Sequence, residues 1–519
     1  MLSRRELLAL VGSSELIGDF KYIGIHSGEV FPEGVASADP TTSSIILWTR
    51  IRPQVHQSFQ KPLKLYLLEQ GFKNLKEYTI PASSITPTND YCVKLEVKNL
   101  KPGTQYIYIF EYDSYKRIGK FKTLPENPSS MKIAFVSCQN FEDGYYPAYY
   151  HIAMEELDFV LHLGDVIYEA LYKPKVKERT ITLPSGSRSA ISFEDYRHLY
   201  LTYLSDPNFQ LARASHAFIH TIDDHEFYND YYFDYSRGFW VSPSFPPEVS
   251  SDKELALALW QYAFKCFKDY IPSRIKFSIN SPNPLDWLLL YRDFRAGNFM
   301  HLIVTDNRTY RQSQCQIRFQ SPGCESQQYH TLLGQTQKEW FLKKLTSKDA
   351  TWKVWANSVQ FSESIMDGLY ASTDAWSGYL KERDEILNAL ASNNISNLII
   401  LTGDRHAFVA SEVQKKFGKD ETPLGAEFVT GAISSINASE GLWFKRSFPN
   451  LKDALDYERF ELSSNPWYRY VNHTGWGYGL LTLTKSHAKV QFYLVNKYKP
   501  HSSRILTKTL FYEPNKGIK

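Results

Sequence analysis

The stretch Asp158-Phe159-Val160-Leu161-His162-Leu163-Gly164-Asp165-Val166-Ile167-Tyr168-Glu169 decides the fold. Its first half is a short apolar run closed by glycine, the pattern of a strand buried on both faces. Polar chemistry comes next, with Asp165, Tyr168 and Glu169 placed straight off the strand end. A charge placed there is costly unless it is paired or coordinated. In open α/β sheets ligands bind in the crevice beyond the carboxyl ends of the strands. The stretch therefore predicts a buried sheet with a working crevice along one edge.

Outward from it the pattern repeats. Apolar runs of strand length occur at 132–137, 158–164, 216–222, 299–305, 352–358, 397–403 and 426–432. Helical stretches separate some of them, such as YYPAYYHIAMEEL after the first and LGQTQKEWFLKKL before WKVWANS. This alternation predicts an α/β or sandwiched central sheet. Two more runs after residue 478, LLTLT and KVQFYLV, are expected to finish a second sheet. Polar insertions at 170–195, 229–252 and 307–330 read as loops, where binding residues concentrate.

The residues just past each strand carry the chemistry. The ends deliver Cys138-Gln139-Asn140, Asp165 with Tyr168, Asp223-Asp224-His225-Glu226, Asp306 with Arg308 and Arg311, Asn357, and Asp404-Arg405-His406. Carboxylates at 165, 223, 224 and 404, imidazoles at 225 and 406, a thiolate at 138 and a phenolate at 168 are all metal ligands. An aspartate can bridge two ions that together clamp a phosphoryl transfer. A thiolate and a phenolate at one ion favour a trivalent or soft transition metal, with iron preferred. A carboxylate-rich second position suits a hard divalent ion. Of Asp223 and Asp224, one is expected to be a ligand and the other the partner that holds a histidine. Arg308 and Arg311 could fork onto phosphate oxygens or serve as structural ion pairs.

Residues 25–125 lack helical periodicity and carry short β-type runs separated by turn residues, the pattern of a small sandwich. TLPENPSS at 123–130 reads as a linker. With 59 basic and 56 acidic residues the charge is near balance, and no basic block suggests a nucleic-acid-binding module. No apolar run is long enough to span a membrane. Five cysteines are too few for a disulfide scaffold, although Cys315 and Cys324 flank a loop that a disulfide could close. Ser3-Arg4-Arg5-Glu6-Leu7-Leu8 resembles a twin-arginine export signature, with its apolar region interrupted by Ser13, Ser14, Glu15 and Asp19. Residues 1–24 are accordingly read as a leader or degenerate signal, with a periplasmic or secreted destination.

At these residues the chain resembles the PhoD-like alkaline phosphatases, relatives of the calcineurin-like metallophosphatases and purple acid phosphatases. The resemblance rests on GVASADPTTSSIILWTR (34–50), on the run 137–169, on 195–230, and on TDNRTYR (305–311), LLGQTQKEWFLKKL (332–345), LTGDRH (401–406) and EFVTGAISS (427–435). It implies a mixed α+β and α/β chain: a four-layer α/β/β/α core over 131–500, an immunoglobulin-like β-sandwich over 25–125, and a tail over 501–519. It also implies alkaline hydrolysis of phosphomonoesters or phosphodiesters. By motif, Cys138 stands where relatives use an aspartate ligand, Asp165 bridges, and Tyr168 matches the iron-binding tyrosine of Gly-Asp-x-x-Tyr. Asp224 falls where relatives carry asparagine, His225 faces phosphate, and Asp404 and His406 complete the metal positions. The implied ions are Fe(3+) and Ca(2+), with Mg, Mn or Zn as substitutes. The C-terminal His473-Thr474-Gly475-Trp476 offers no arginine for phosphate.

The expected reaction is in-line attack of a metal-bound hydroxide on phosphorus, with His225, Arg308 and Arg311 as the catalytic side chains. No protein nucleophile motif is present. The expected substrate is a small or polymeric phosphoester, and the protein is expected to be a monomer. Two alternatives are a phosphodiesterase of phospholipase D type acting on lipid or wall polymer, and a non-catalytic envelope binding protein on the same scaffold. The aromatic insertion YNDYYFDYSRGFW (228–240) leaves the lipid reading open.

Overall fold

Strands form where the short apolar runs predict them, and their order in the sheets brings the polar strand ends together. The chain is described from a computed structural model, covering residues 28–69, 73–314, 330–366, 369–419, 422–440 and 451–519. The twin-arginine segment and the Cys315/Cys324 loop lie outside the described residues.

Seven strands come first: β1 (Val35–Ala38), β2 (Ile45–Arg50), β3 (Leu63–Glu69), β4 (Lys73–Ile80), β5 (Cys92–Val97), β6 (Gln105–Tyr112) and β7 (Tyr115–Lys122). β8 (Ser130–Val136), β9 (Phe159–His162) and β10 (Ala217–His220) follow. Next are β11 (Arg292–Ala296), β12 (Met300–Val304), β13 (Trp352–Asn357), β14 (Leu398–Thr402), β15 (Phe408–Val413), β16 (Gly425–Val429) and β17 (Tyr468–Asn472). The last are β18 (Trp476–Thr484), β19 (Ala488–Val495), β20 (Ile505–Glu513) and β21 (Gly517–Ile518).

A ten-stranded sheet runs β21-β20-β19-β18-β8-β9-β10-β1-β2-β5, and a seven-stranded sheet runs β11-β12-β13-β14-β16-β15-β17. In the first, β8, β9 and β10 are parallel, with Ala134 opposite Val160 and Val160 opposite Phe218. In the second, β12, β13, β14 and β16 are parallel. The period-2 alternation of strand side chains sets the layers. Ile133, Phe135, Leu161 and Ile219 face Leu302, Val354, Ile399 and Leu401 in one core between the sheets. The alternate residues Ala134, Val136, Val160 and Phe218 pack with Tyr149, Leu199, Phe209 and Phe264 of four helices (Pro147–Ala153, Phe193–Leu204, Pro207–Ser215 and Lys253–Tyr270). On the far side of the second sheet, Ile303, Trp355 and Ile400 pack with Phe341 and Ile386 of helices Gln335–Leu345 and Leu380–Ser392. Each such fully buried large side chain contributes about 1.5–3 kcal/mol.

Four expectations change. LLTLT and KVQFYLV lie in β18 and β19, which extend the first sheet beside β8 rather than finishing a second one. The expected tail supplies β20 and β21, and β20 pairs with β19 along most of its length. The N-terminal segment is hydrogen-bonded into the core, because β1 runs parallel to β10 with Ser37 opposite Ala217. The separate sheet β4-β3-β6-β7 covers the other face of β1, β2 and β5, with Leu65, Leu67 and Phe110 against Val35, Leu47 and Val93. The aromatic insertion is not a surface loop: Tyr231, Phe233, Phe239 and Trp240 are buried, and Trp240 stacks on Trp260 at 3.9 Å.

Candidate active site

The strand ends leave their sheets through strained backbone. Cys138, Asp165, Asp404 and His406 all sit in the left-handed region, with φ of 59°, 59°, 61° and 51°. That conformation costs an L-residue about 1–2 kcal/mol each, and such strain gathers at functional sites. Gly164, at φ 106°, lets two loops touch: a Cβ there would lie 2.5 Å from both Cβ and N of Asp223. The loops are tied by main chain, Cys138 N donating to Gly164 O at 3.2 Å and Ile433 N to Ser137 O at 3.0 Å. A buried carboxylate completes the tie. Glu226 accepts from the amides of Asp165 (3.1 Å), Val166 (2.6 Å) and Asp223 (2.8 Å), so it fixes two strand ends at once.

One donor group forms between Cys138, Asp165 and His406, whose ligand atoms all lie within 4.8 Å of one another. The Tyr168 hydroxyl stands 3.1 Å from both Asp165 Oδ2 and His406 Nε2 and accepts from Ser435 Oγ at 2.8 Å. His406 Nδ1 donates to Ile436 O at 2.6 Å, which turns Nε2 toward the group. Burial, with Asp165 adding, pushes the Cys138 thiol and the Tyr168 phenol well up. Burial also lifts Asp165 to about 7, against His225, and lowers His406 to about 4.

The second group shares Asp165. Asp165, Asp224 and His225 form one such set, and Asp223, Asp224 and Asp404 another, each with ligand atoms within 4.8 Å. Burial raises Asp223, with Asp224 and Asp165 adding, and raises Asp404, with Asp223 adding. At Asp224 burial is outweighed by Arg308 and His225, which hold it below the carboxylate range. Asp223 Oδ2 is buried with no hydrogen-bond partner among the described residues. His225 stacks on Tyr168 with ring centroids 4.0 Å apart, and its Nδ1 meets Glu169 Oε2 at 2.7 Å.

This donor set fits cations. Thiol, phenol and carboxyls whose ionisation burial opposes become ligands once a cation compensates their charge, since a coordinating thiol is deprotonated outright. The soft, phenolate-bearing half and the all-carboxylate half differ in the ion each prefers.

The chain matches the family model of the PhoD-like phosphatases over residues 133–492, and the model of that family's N-terminal domain over 25–125. The chain belongs to the PhoD-like phosphatase family. It is 32% identical over 422 residues to alkaline phosphatase D of Bacillus subtilis (strain 168), covering 78% of this chain and 69% of that one. It superposes on a solved structure of PhoD with a TM-score of 0.80 at 29% identity, covering 95% of this chain and 92% of that one. It is a metal-dependent phosphoester hydrolase.

Within this PhoD-like phosphatase one expectation about side chains narrows and one needs correcting. The arginines take up the structural ion pairs that were one of their two expected roles. Arg308, fully buried, puts Nε on Asp223 and Nη1 2.9 Å from Asp374 Oδ2, while Arg311 bonds both the carboxylate and the carbonyl oxygen of Asp374. The cause is the density of buried acid around them. The histidine partner is not Asp223: Glu169 holds His225, and Asp223 is taken by Arg308. Glu169 and Glu226 stand among the strand-end groups read from sequence, where they were given no role of their own. Ser435 closes the 427–435 stretch without having been given a role, and Asp374 comes from a loop with no strand-end signature. His473 is held by Glu461, its Nε2 2.6 Å from Glu461 Oε2.

Proposed function

We propose that this PhoD-like phosphatase uses two unlike cations: iron held by Cys138, Asp165, Tyr168 and His406, and calcium held by Asp165, Asp224 and Asp404, with Mg, Mn or Zn as substitutes. The observation that carries the reading is that Asp165 belongs both to the Cys138–His406 set, where it meets Tyr168, and to a set with Asp224 and His225, while Asp224 in turn joins Asp223 and Asp404. Bound there, the ions supply Lewis acidity and a more acidic coordinated water. The protein's own part is positional. Glu169 accepts from His225 Nδ1 and, against burial, its charge favours the imidazolium, in which Nε2 also carries a proton to donate to a phosphoryl or leaving-group oxygen. Glu226 holds the Asp165 and Asp223 turns rigid, and the displacement at phosphorus runs in line.

On this reading residues 131–519 form a four-layer catalytic core, whose first sheet is continued by β1, β2 and β5 of residues 25–125 and covered there by the sheet β4-β3-β6-β7. The support is the packing of helices on the outer faces of two facing sheets. The protein acts as a monomer. Residues 1–24 direct export to the periplasm or outside, supported by Arg4-Arg5. A lipid-acting diesterase is less favoured, because the insertion that suggested it buries most of its aromatic rings. The test assays a chromogenic phosphomonoester and a phosphodiester side by side, before and after chelation. Loss of turnover on chelation, restored by iron with calcium, supports the reading; turnover untouched by a strong chelator sinks it.

A further inference from the structure

We infer that Arg308 is a resident cation in the carboxylate half of the site, and that it sets how tightly the second metal ion binds there. The inference rests on the assignment of Asp224 and Asp404 to that ion.

Asp223, Asp224 and Asp404 offer oxygens within 4.8 Å of one another, the spacing of ligands around one divalent cation. The Arg308 guanidinium reaches into the same group. Its Nε bonds Asp223 Oδ1, and Nη2 lies 3.5 Å from Asp224 Oδ1 and 3.7 Å from Asp404 Oδ1. Nη2 is buried and makes no hydrogen bond among the described residues. It is therefore held between the two carboxylates by charge rather than by directed bonds. A guanidinium stays protonated in proteins, so it cannot vacate the position by titration. A divalent ion on Asp224 and Asp404 must meet that positive charge or displace it.

The other half of the site is built differently. There the Tyr168 hydroxyl meets Asp165, His406 and Ser435, none of them a permanent cation. The first ion thus meets no guanidinium at that hydroxyl, whereas the second meets one between its carboxylates. Asp374 holds Arg308 in this place: it takes Nη1 at 2.9 Å, also carries Arg311, and its own carboxylate lies within 4.8 Å of Asp224 and Asp230. A divalent ion therefore enters against a fixed positive charge, and the second position fills only when divalent ion is plentiful.

The experiment is calorimetric titration of Ca(2+) into the purified full chain, with bound iron measured in each variant. Arg308→Gln is expected to bind Ca(2+) at least about tenfold tighter than wild type with iron content unchanged, because a like charge near the ion is gone. Arg308→Lys, which keeps the charge, is expected to stay near wild type. Arg308→Met, uncharged and of similar length, reports the same competition if Arg308→Gln does not fold. Equal or weaker Ca(2+) binding in these uncharged variants overturns the inference. Asp404→Asn separates the two layers of the reading. If it titrates like wild type, the metal assignment itself fails; if it loses Ca(2+) while Arg308→Gln is unchanged, only the role of Arg308 fails.

Discussion

Asp165 is the side chain on which the site turns, since it joins the Cys138–His406 set to the Asp224–His225 set. Asp165→Asn removes a bridging charge but keeps a residue that tolerates φ 59°. It is expected to cut phosphatase turnover at least about 100-fold, as for loss of a group that acts in the transition state, with an unchanged circular-dichroism spectrum. His406→Ala should do the same, though Ala at φ 51° adds backbone strain and makes it the less clean test. Near-wild-type turnover in purified Asp165→Asn contradicts the assignment. Glu169→Gln keeps shape and loses the charge facing His225 Nδ1. Its kcat should fall about 10–100-fold, the usual effect of losing a supporting carboxylate, with KM nearly constant. A change confined to KM would show that Glu169 serves binding instead.

At the scale of elements, strand ends touch because glycine lets them. Gly164→Ala would force a Cβ to 2.5 Å from the Asp223 backbone, whereas Gly186→Ala, at φ 72°, meets nothing within 4 Å. The first is expected to lose bound metal and melt well below wild type. The second should cost only the left-handed penalty of about 1 kcal/mol. Similar melting temperatures for the two would show that the close approach does not matter. The strands themselves were legible from apolar run length: β8, β9, β10, β12, β13 and β14 fall within a residue or two of the runs that predicted them. Which sheet a strand joins was not. β18 pairs with β8 from more than 300 residues away, and no local pattern encodes a partner at that distance. The same limit applies to the site. Cys138, Asp165, Tyr168, Asp224, Asp404 and His406 announce themselves as polar groups after buried strands, and the structure brings them together. The partners of Arg308 and Arg311 could not be read, because Asp374 lies on a loop whose place is set by packing alone.

At the scale of the molecule, buried ionisable groups tie stability to pH. His216 is buried, with Nε2 at 3.0 Å from Ile152 O, and burial lowers it to about 3. An unfolded histidine titrates near 6.5, so the unfolded chain takes up the proton first. The contribution of neutral His216 is present above about pH 6.5 and is lost as pH falls toward 3. His216→Gln carries no such linkage. The urea midpoint of wild type should therefore fall relative to this variant between pH 7 and pH 4; a constant difference would contradict it.

The two-ion site is the claim on which the rest depends, and elemental analysis of the protein purified without chelator tests it most directly. The expected result is about one iron per chain, accompanied by calcium or another divalent ion at up to a similar level, with both reduced in Asp165→Asn. A wild-type protein that hydrolyses phosphoesters while carrying no stoichiometric metal, or a single ion retained in full by Asp165→Asn, would contradict it.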